Sequence, residues 1–358
     1  MQILQILQQA LDGGASDIFI IPGLPLTYKV SGQQQRMDAR LMPADTELLV
    51  TAIYELCGRH RPERPDQDDD FSLSVPPKEG FPGGRFRVNV LHQRGSLAAV
   101  VRVIRFGLPD PAQMNIPQAV MDIASLKKGL VLVTGSAGSG KSTTLACLID
   151  AINRTREGHI ITMEDPIEYV HRHEKCIVTQ REIPTDTPTY LGALRSALRE
   201  SPNVILLGEM RDYETIEAAV TAAETGQLLF STLHATNAAN AVDRIIDVFP
   251  EKQQAQVRMQ LSMTLKAVIN QQLVPTLDEK QTPVFEIMLA NTAVKNLIRE
   301  GKTHQIDSAI QAGASKGMRT MDDDLLRLVR EKRISKDTAY THCIYPENME
   351  KRLAQLPG

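Results

Sequence analysis

Nine consecutive residues, Gly135-Ser136-Ala137-Gly138-Ser139-Gly140-Lys141-Ser142-Thr143, constrain this chain more than any other feature in it. Gly135, Gly138 and Gly140 put no side chain between the backbone and a bulky anion, so successive N–H groups can curl around a polyphosphate. Lys141 can reach β- and γ-phosphates, and the Ser142 hydroxyl can ligate Mg²⁺. An apolar run, Leu130–Thr134, precedes the loop, and a helical pattern, Thr144–Ile152, follows it. A loop in that position delivers its anion to the positive end of a helix. A plain glycine-rich turn would need neither the Lys-Ser-Thr ending nor this context. The chain is therefore expected to bind a nucleoside triphosphate.

The rest of the sequence organises around that loop. At 358 residues the chain exceeds one ordinary domain. A proline-rich passage, Gly107-Leu108-Pro109-Asp110-Pro111 through Ile116-Pro117, reads as a linker. Before it stand strand-like runs at Ile18–Ile21, Leu26–Val30, Arg85–Leu91 and Leu97–Ile104, with helical patterns at Gln2–Leu11 and Asp45–Leu56. That mixture predicts an α+β domain, with the Asp66–Asp70 acidic run and Pro62, Pro65, Pro76 and Pro77 in a solvated loop. After the linker, apolar runs at Leu130–Thr134, His159–Met163, Val204–Leu207 and Gln227–Thr232 alternate with helical patterns at Thr144–Asn153, Tyr190–Arg199 and Ile216–Thr225. Alternation of this kind predicts an α/β unit whose parallel sheet is covered on both faces, with nucleotide at the carboxyl ends of the strands. From Glu251 onward the pattern is mainly helical, including a long stretch Gln253–Leu273, apart from a strand at Val284–Leu289.

Composition narrows the class of function. Hydrophobic content of 42% describes a soluble globular protein with ample core. A net charge of −3, 4% aromatic residues and no tryptophan argue against a nucleic-acid surface or a base-stacking platform. No apolar stretch approaches the roughly 18 residues that span a bilayer, and the N-terminus lacks the pattern of a signal peptide. Cys57, Cys147, Cys176 and Cys343 lie far apart, which speaks against zinc and for reduced thiols in a cytoplasmic protein.

Three further segments carry candidate chemistry. Ile161-Thr162-Met163-Glu164-Asp165-Pro166-Ile167-Glu168 closes the second strand of the nucleotide region. Hydrolysis needs a base or water-positioning group on the attacking side of the γ-phosphate, and Glu164 is the candidate. Asp-Pro also initiates turns, so Asp165 and Glu168 stay open between chemistry and a solvated turn. Asn203-Val204-Ile205-Leu206-Leu207-Gly208-Glu209 is an apolar strand ending in an acid, the pattern of a Walker B segment, and Glu209 can hold the Mg²⁺ shell or its water. Arg211-Asp212 either positions Glu209 through a salt bridge or caps the next helix. Ser231-Thr232-Leu233-His234-Ala235-Thr236-Asn237 turns from a strand into a helix, Ala238–Val248. Thr232 and His234 share a face on extended backbone, where a histidine can sense a γ-phosphate. The competing reading has Thr236 or Asn237 as a cap and His234 as a polar core residue. Arginines 85, 87, 94, 102 and 105 gather before the linker. Arg87 shares a strand face with Arg85, and Arg102 lies on the next strand. Guanidinium groups suit a transferring phosphoryl group, often supplied by a neighbouring subunit, and a solvated basic face is the alternative.

Taken in order, the boxes Thr162–Glu168, Asn203–Glu209 and Thr232–Pro250 resemble the secretion ATPases of type II and type IV pilus machines. Gly14-Ala15-Ser16-Asp17-Ile18, Leu194-Arg195-Ser196-Ala197-Leu198-Arg199-Glu200 and Gly208-Glu209-Met210-Arg211-Asp212 are similar to motifs of the PilT-type pilus retraction ATPases. So are the tail segments Leu297-Ile298-Arg299-Glu300-Gly301-Lys302 and Gly317-Met318-Arg319-Thr320-Met321-Asp322. The resemblance implies a PAS-like domain over 1–105, a linker over 106–117, and a RecA-like P-loop ATPase core over 118–358 whose helical C-terminal extension begins near 291. It implies ATP and Mg²⁺, Glu164 as catalytic glutamate, Glu209 as Walker B acid, His234 as sensor, and Arg87 and Arg102 reaching in from the N-terminal domain. It also implies a homohexameric ring on the cytoplasmic face of the inner membrane, docked on a pilus platform protein and working beside other pilus ATPases. The 195–199 helix matches a motif tied to retraction. Four departures stand out: Gln227 for a usual His, Asn203 for Asp, Phe19 for His, and Ser136-Ala137 for Pro-Thr. An extension or type II secretion ATPase, a conjugation ATPase and a DNA-translocating motor are the rival assignments. The first usually carries an extra N-terminal domain and a four-cysteine zinc insertion, neither of which is found in this sequence. A non-hydrolysing switch module is opposed by Glu164 and Glu209 together.

Overall fold

The computed structural model of this protein describes residues 3–30, 32–61, 68–76, 81, 83–104 and 107–356, in two compact units, Met1–Gly107 and Leu108–Gly358. Gln2, Pro62, Pro65, Asp66, Pro77 and Arg105, singled out above, lie outside the described residues.

In the first unit, α1 (Ile3–Asp12) and α2 (Pro43–Cys57) accompany β1 (Ala15–Ile20), β2 (Pro25–Val30), β3 (Gln33–Arg40), β4 (Asp69–Val75), β5 (Gly84–Gln93) and β6 (Ser96–Ile104). The strands form one antiparallel sheet in the order β3-β2-β1-β6-β5-β4. Ile3, Ile6, Leu7 and Ala10 recur at helical spacing and are buried against Phe86, Val88 and Val90, which alternate along β5. Two of the strands were not legible. β3 is Gln-Gln-Gln-Arg-Met-Asp-Ala-Arg, an exposed edge with no apolar face to betray it. The acidic run expected to be a loop instead opens β4 at Asp69 and Asp70, because Phe71, Leu73 and Val75 alternate into the core immediately after.

The second unit contains β7 (Gly129–Thr134), β8 (Gly158–Glu164), β9 (Cys176–Glu182), β10 (Val204–Leu207), β11 (Leu228–Leu233), β12 (Leu265–Pro275) and β13 (Gln281–Leu289). Its helices are α3 (Gln118–Met121), α4 (Lys141–Thr155), α5 (Tyr190–Ala197), α6 (Tyr213–Glu224), α7 (Ala238–Asp247), α8 (Glu251–Thr264), α9 (Thr292–Arg299), α10 (Ile306–Ala312), α11 (Met321–Arg330), α12 (Lys336–His342) and α13 (Pro346–Ala354). The sheet runs β13-β12-β7-β11-β10-β8-β9. It is mixed rather than parallel throughout: β13 pairs antiparallel with β12, while the other pairings are parallel. Both faces are covered, as the continuous burial of β7 requires. Leu130 and Leu132 pack with α5 to α10, and Val131 and Val133 with α3 and α4.

The stretch Gln253–Leu273, expected to be one helix, breaks at Thr264 and continues as β12. Ala267, Val268, Ile269, Asn270 and Gln271 are all buried, which a helix with one apolar stripe cannot achieve but an interior strand beside β7 does. The edge strand β9 was also missed, since Ile177 is exposed and Thr179, Gln180 and Arg181 are polar. No described helix is long and apolar enough to cross a membrane.

Candidate active site

Strand order decides which side chains meet. Walking from β7 through β11 and β10 to β8, the residues at or just beyond the carboxyl tips are the P-loop, His234, Glu209 and Glu164. The register aligns those tips, with Thr134 opposite Leu233, and Leu207 opposite both Ser231 and Met163.

The loop itself is tightly built. Gly135 has φ 138°, and a Cβ there would stand 2.1 Å from the Gln271 carbonyl oxygen. Gly140 has φ 89° beside the Gln271 side-chain amide. Gln271 also accepts a 2.7 Å hydrogen bond from Thr144 Oγ1, so β12 braces the P-loop from behind. Sequence reasoning missed Gln271 because its segment looked helical. Lys141 Nζ turns back onto the carbonyls of Gly135 and Ser136 at 3.0 and 2.7 Å. Burial lowers its pKa, while Glu209 and Glu168 pull it upward. Gly135 and Ser139 are buried within the loop; Ala137, Gly138, Gly140, Lys141, Ser142 and Thr143 line an open cavity of about 580 Å³.

Glu164 is the last residue of β8. Thr162, two residues earlier on the same face, donates to its Oε1 at 2.6 Å, and Gln180 of β9 donates to it at 3.3 Å. Glu209 follows β10 by two residues. Arg211 binds its Oε2 at 2.7–2.8 Å, and His234 Nε2 stands 3.4 Å from its Oε1. The two options left open for Arg211-Asp212 are both realised, since Asp212 caps α6 through Thr215 N at 2.8 Å. Asn237 caps α7, and His234 is no core residue: its side chain is half exposed beside Glu209. Thr232, Glu164, Glu209 and His234 all line the cavity, and so do Asp165 and Glu168.

Tyr169, His171 and Tyr190 line it too, and nothing in the sequence marked them. The Tyr169 hydroxyl lies 2.9 Å from Thr143 Oγ1. His171 is buried with its Nδ1 unpartnered among the described residues, and burial pushes its pKa down to about 4.

Arg87 and Arg102 belong to the first unit, and the cavity is built from residues of the second. They face one another across β5 and β6. Arg87 is bidentate on Asp70, with Nη2 to Oδ2 at 2.6 Å, and Arg102 Nε meets Asp17 Oδ1 at 3.2 Å. Arg85 donates to Ser74 Oγ. Of the departures, Asn203 caps the turn into β8 by accepting from His159 N at 2.8 Å, and Gln227 accepts from Thr225 Oγ1.

The donor set fits Mg²⁺. Ser142 and the carboxylates offer oxygen alone, as a hard, small cation requires. The lining also holds four carboxylates against one lysine, so an anionic ligand needs cations brought to it.

A two-sided α/β sheet whose inner strand runs into a P-loop, beside strands tipped with acids, defines a P-loop nucleotide-binding protein. More narrowly, the chain belongs to the family of type II/IV secretion system proteins, whose model matches residues 1–337. It is 43% identical over 352 residues to the type IV pilus retraction ATPase PilT of Pseudomonas aeruginosa, covering 97% of this chain and 100% of that one. It is 48% identical over 324 residues to a twitching motility protein of Neisseria gonorrhoeae, covering 90% and 85%. The crystal structure of the pilus retraction motor PilT with bound ADP superposes with a TM-score of 0.87 at 41% identity, covering 98% of this chain and 99% of that one. The family resemblance carried by the motifs is borne out.

Proposed function

We propose that this protein is an ATP-hydrolysing motor that powers retraction of type IV pili. What carries the reading is the convergence of the P-loop with Glu164, Glu209 and His234 on one cavity. Lys141 leaves its loop carbonyls for the β- and γ-phosphates, and Thr143 and the loop amides hold the rest of the polyphosphate. Glu164, fixed by Thr162 and Gln180, orients and deprotonates the attacking water. Ser142 and Glu209 would hold Mg²⁺, which when bound offsets charge on the β- and γ-phosphates. His234 and Arg211 hold Glu209 in place, so loss of the γ-phosphate changes the balance of charge at the start of α7. Arg87 and Arg102, from a first unit of PAS-like kind, supply the missing positive charge from a neighbouring subunit of a homohexameric ring. The ring works at the cytoplasmic face of the inner membrane on a pilus platform protein, the two units of each chain turning about the 107–117 linker.

Steady-state hydrolysis tests the chemistry. Glu164→Ala and Lys141→Ala are each expected to lower kcat by at least about a hundredfold, Lys141→Ala also weakening nucleotide binding. Wild-type turnover in either variant contradicts the assignment. Loss of pilus retraction with pili still extended on deletion of the gene separates this role from extension or secretion.

A further inference from the structure

The turn from His234 into α7 is held at three points. Arg244 Nη1 donates to the His234 carbonyl at 2.6 Å, the Asn270 amide donates to the Thr236 carbonyl, and Glu286 Oε1 accepts from the Ala238 N–H at 2.5 Å. Glu286 differs from the other two in what else it holds. Its carboxylate also accepts a backbone hydrogen bond from Met321, the first residue of α11. Two helix N-termini, each with orphan N–H groups and partial positive charge, thus meet one acid that is 1% exposed.

The neighbouring residues of β13 are tied to the same segment. Phe285 N donates to Asp324 Oδ2 at 2.9 Å, and Ile287 and Arg319 exchange backbone hydrogen bonds. Asp322 in turn accepts from Ile344 and Tyr345 N–H, ahead of α13. The Gly317–Asp322 motif is therefore a seam joining the last helices to β13, with Glu286 at the point where that seam touches the His234 turn.

We propose that Glu286 is a positioning residue for His234, coupling turnover at the cavity to the docking of the C-terminal helices. This rests on the reading of His234 as an acting residue. The ionisable groups acting on Glu286 are Asp307 of α10 and Asp322 of α11, with the Tyr345 hydroxyl bound to Asp307. Burial raises the Glu286 carboxyl to about 7, both acids push the same way, and the two amides oppose them. Protonation removes the charge to which both helix ends are drawn, and it loosens the first turn of α7.

Glu286→Gln keeps the shape and removes the charge. It is expected to lower kcat about tenfold while leaving KM for ATP within about twofold. Wild-type kcat should fall as pH drops below about 7, and the variant should lack that step, keeping only the acid limb of the Glu164 base. Hydrogen exchange over residues 234–240 should quicken. Ala238→Pro removes the donor instead, at a first helical position whose backbone suits proline after extended Asn237 (φ −155°, ψ 174°), and its ring displaces the Glu286 carboxylate from the start of α7. It should show the same loss of kcat and the same faster exchange beyond the substituted site. Retained binding of a fluorescent ADP analogue identifies folded protein, and where one variant fails to fold the other decides. Wild-type kcat and exchange in a folded variant overturn the proposal. His234→Ala run in parallel separates the two readings: lost turnover there with wild-type Glu286→Gln overturns only this inference, and wild-type turnover there removes both.

Discussion

His171 occupies a buried position that opposes protonation, and its burial holds the imidazole neutral down to about pH 4. An unfolded histidine takes up its proton near 6.5. Above that value the folded and unfolded chains carry the same charge there. Below it the unfolded chain binds a proton that the folded chain refuses, so stability is lost as pH falls from about 6.5 toward about 4. The full loss is about 3 kcal/mol. His171→Leu removes both the titration and the unpartnered Nδ1, so urea denaturation between pH 4 and 7 should give a shallower pH dependence for the variant. Parallel curves for the two proteins would refute the argument. Nothing in the sequence pointed to His171, because burial of one polar residue in an eleven-residue connection between β8 and β9 depends on the elements that close over it in the fold. Glu164 and Glu209 were legible for the opposite reason: an acid at the end of an apolar run is a local pattern, and strand order alone brings such ends together.

Elements divide in the same way. Strands and helices with a single apolar face, such as α1, β5 and α7, could be placed within a few residues from their period. β3 and β9 could not, since an edge strand need not have an apolar face, and β12 imitated a helix because both its faces are buried. Beside the Tyr169–Thr143 contact, Asn153 of α4 ties down the connection between β8 and β9. Asn153, fully buried, donates to the Arg172 carbonyl at 2.7 Å and accepts from the N–H groups of Glu174 and Cys176. Asn153→Ala leaves three backbone groups without that partner. A loss of about 2–4 kcal/mol in urea denaturation is expected, with KM for ATP raised because Tyr169 and His171 belong to the same connection. A loss below about 0.5 kcal/mol would mean that water or a shifted loop replaces the amide.

At the scale of the whole molecule, the cavity and its proposed arginines lie in different units of the chain. Arg102 is 70% exposed on Asp17, and Arg87 is about one-third exposed on Asp70. Exposed ion pairs of this kind hold by about 0–1 kcal/mol, so a polyphosphate can compete for either guanidinium. A head-to-tail ring places the same contact at every interface, which makes action between subunits testable by mixing. Arg87→Ala is expected to lower kcat at least about tenfold, and Glu164→Ala to abolish turnover. In a ring assembled from both variants, an Arg87→Ala subunit keeps its own Glu164 and can receive Arg87 from a Glu164→Ala neighbour. Mixing the two before assembly at equal amounts should therefore restore roughly a quarter of the interfaces to wild-type composition. If the arginine served the cavity of its own chain, no mixture would contain a complete site. Hydrolysis that stays at the level of the separate variants, with mixed rings verified by differential tags, would return Arg87 to the solvated face of β5.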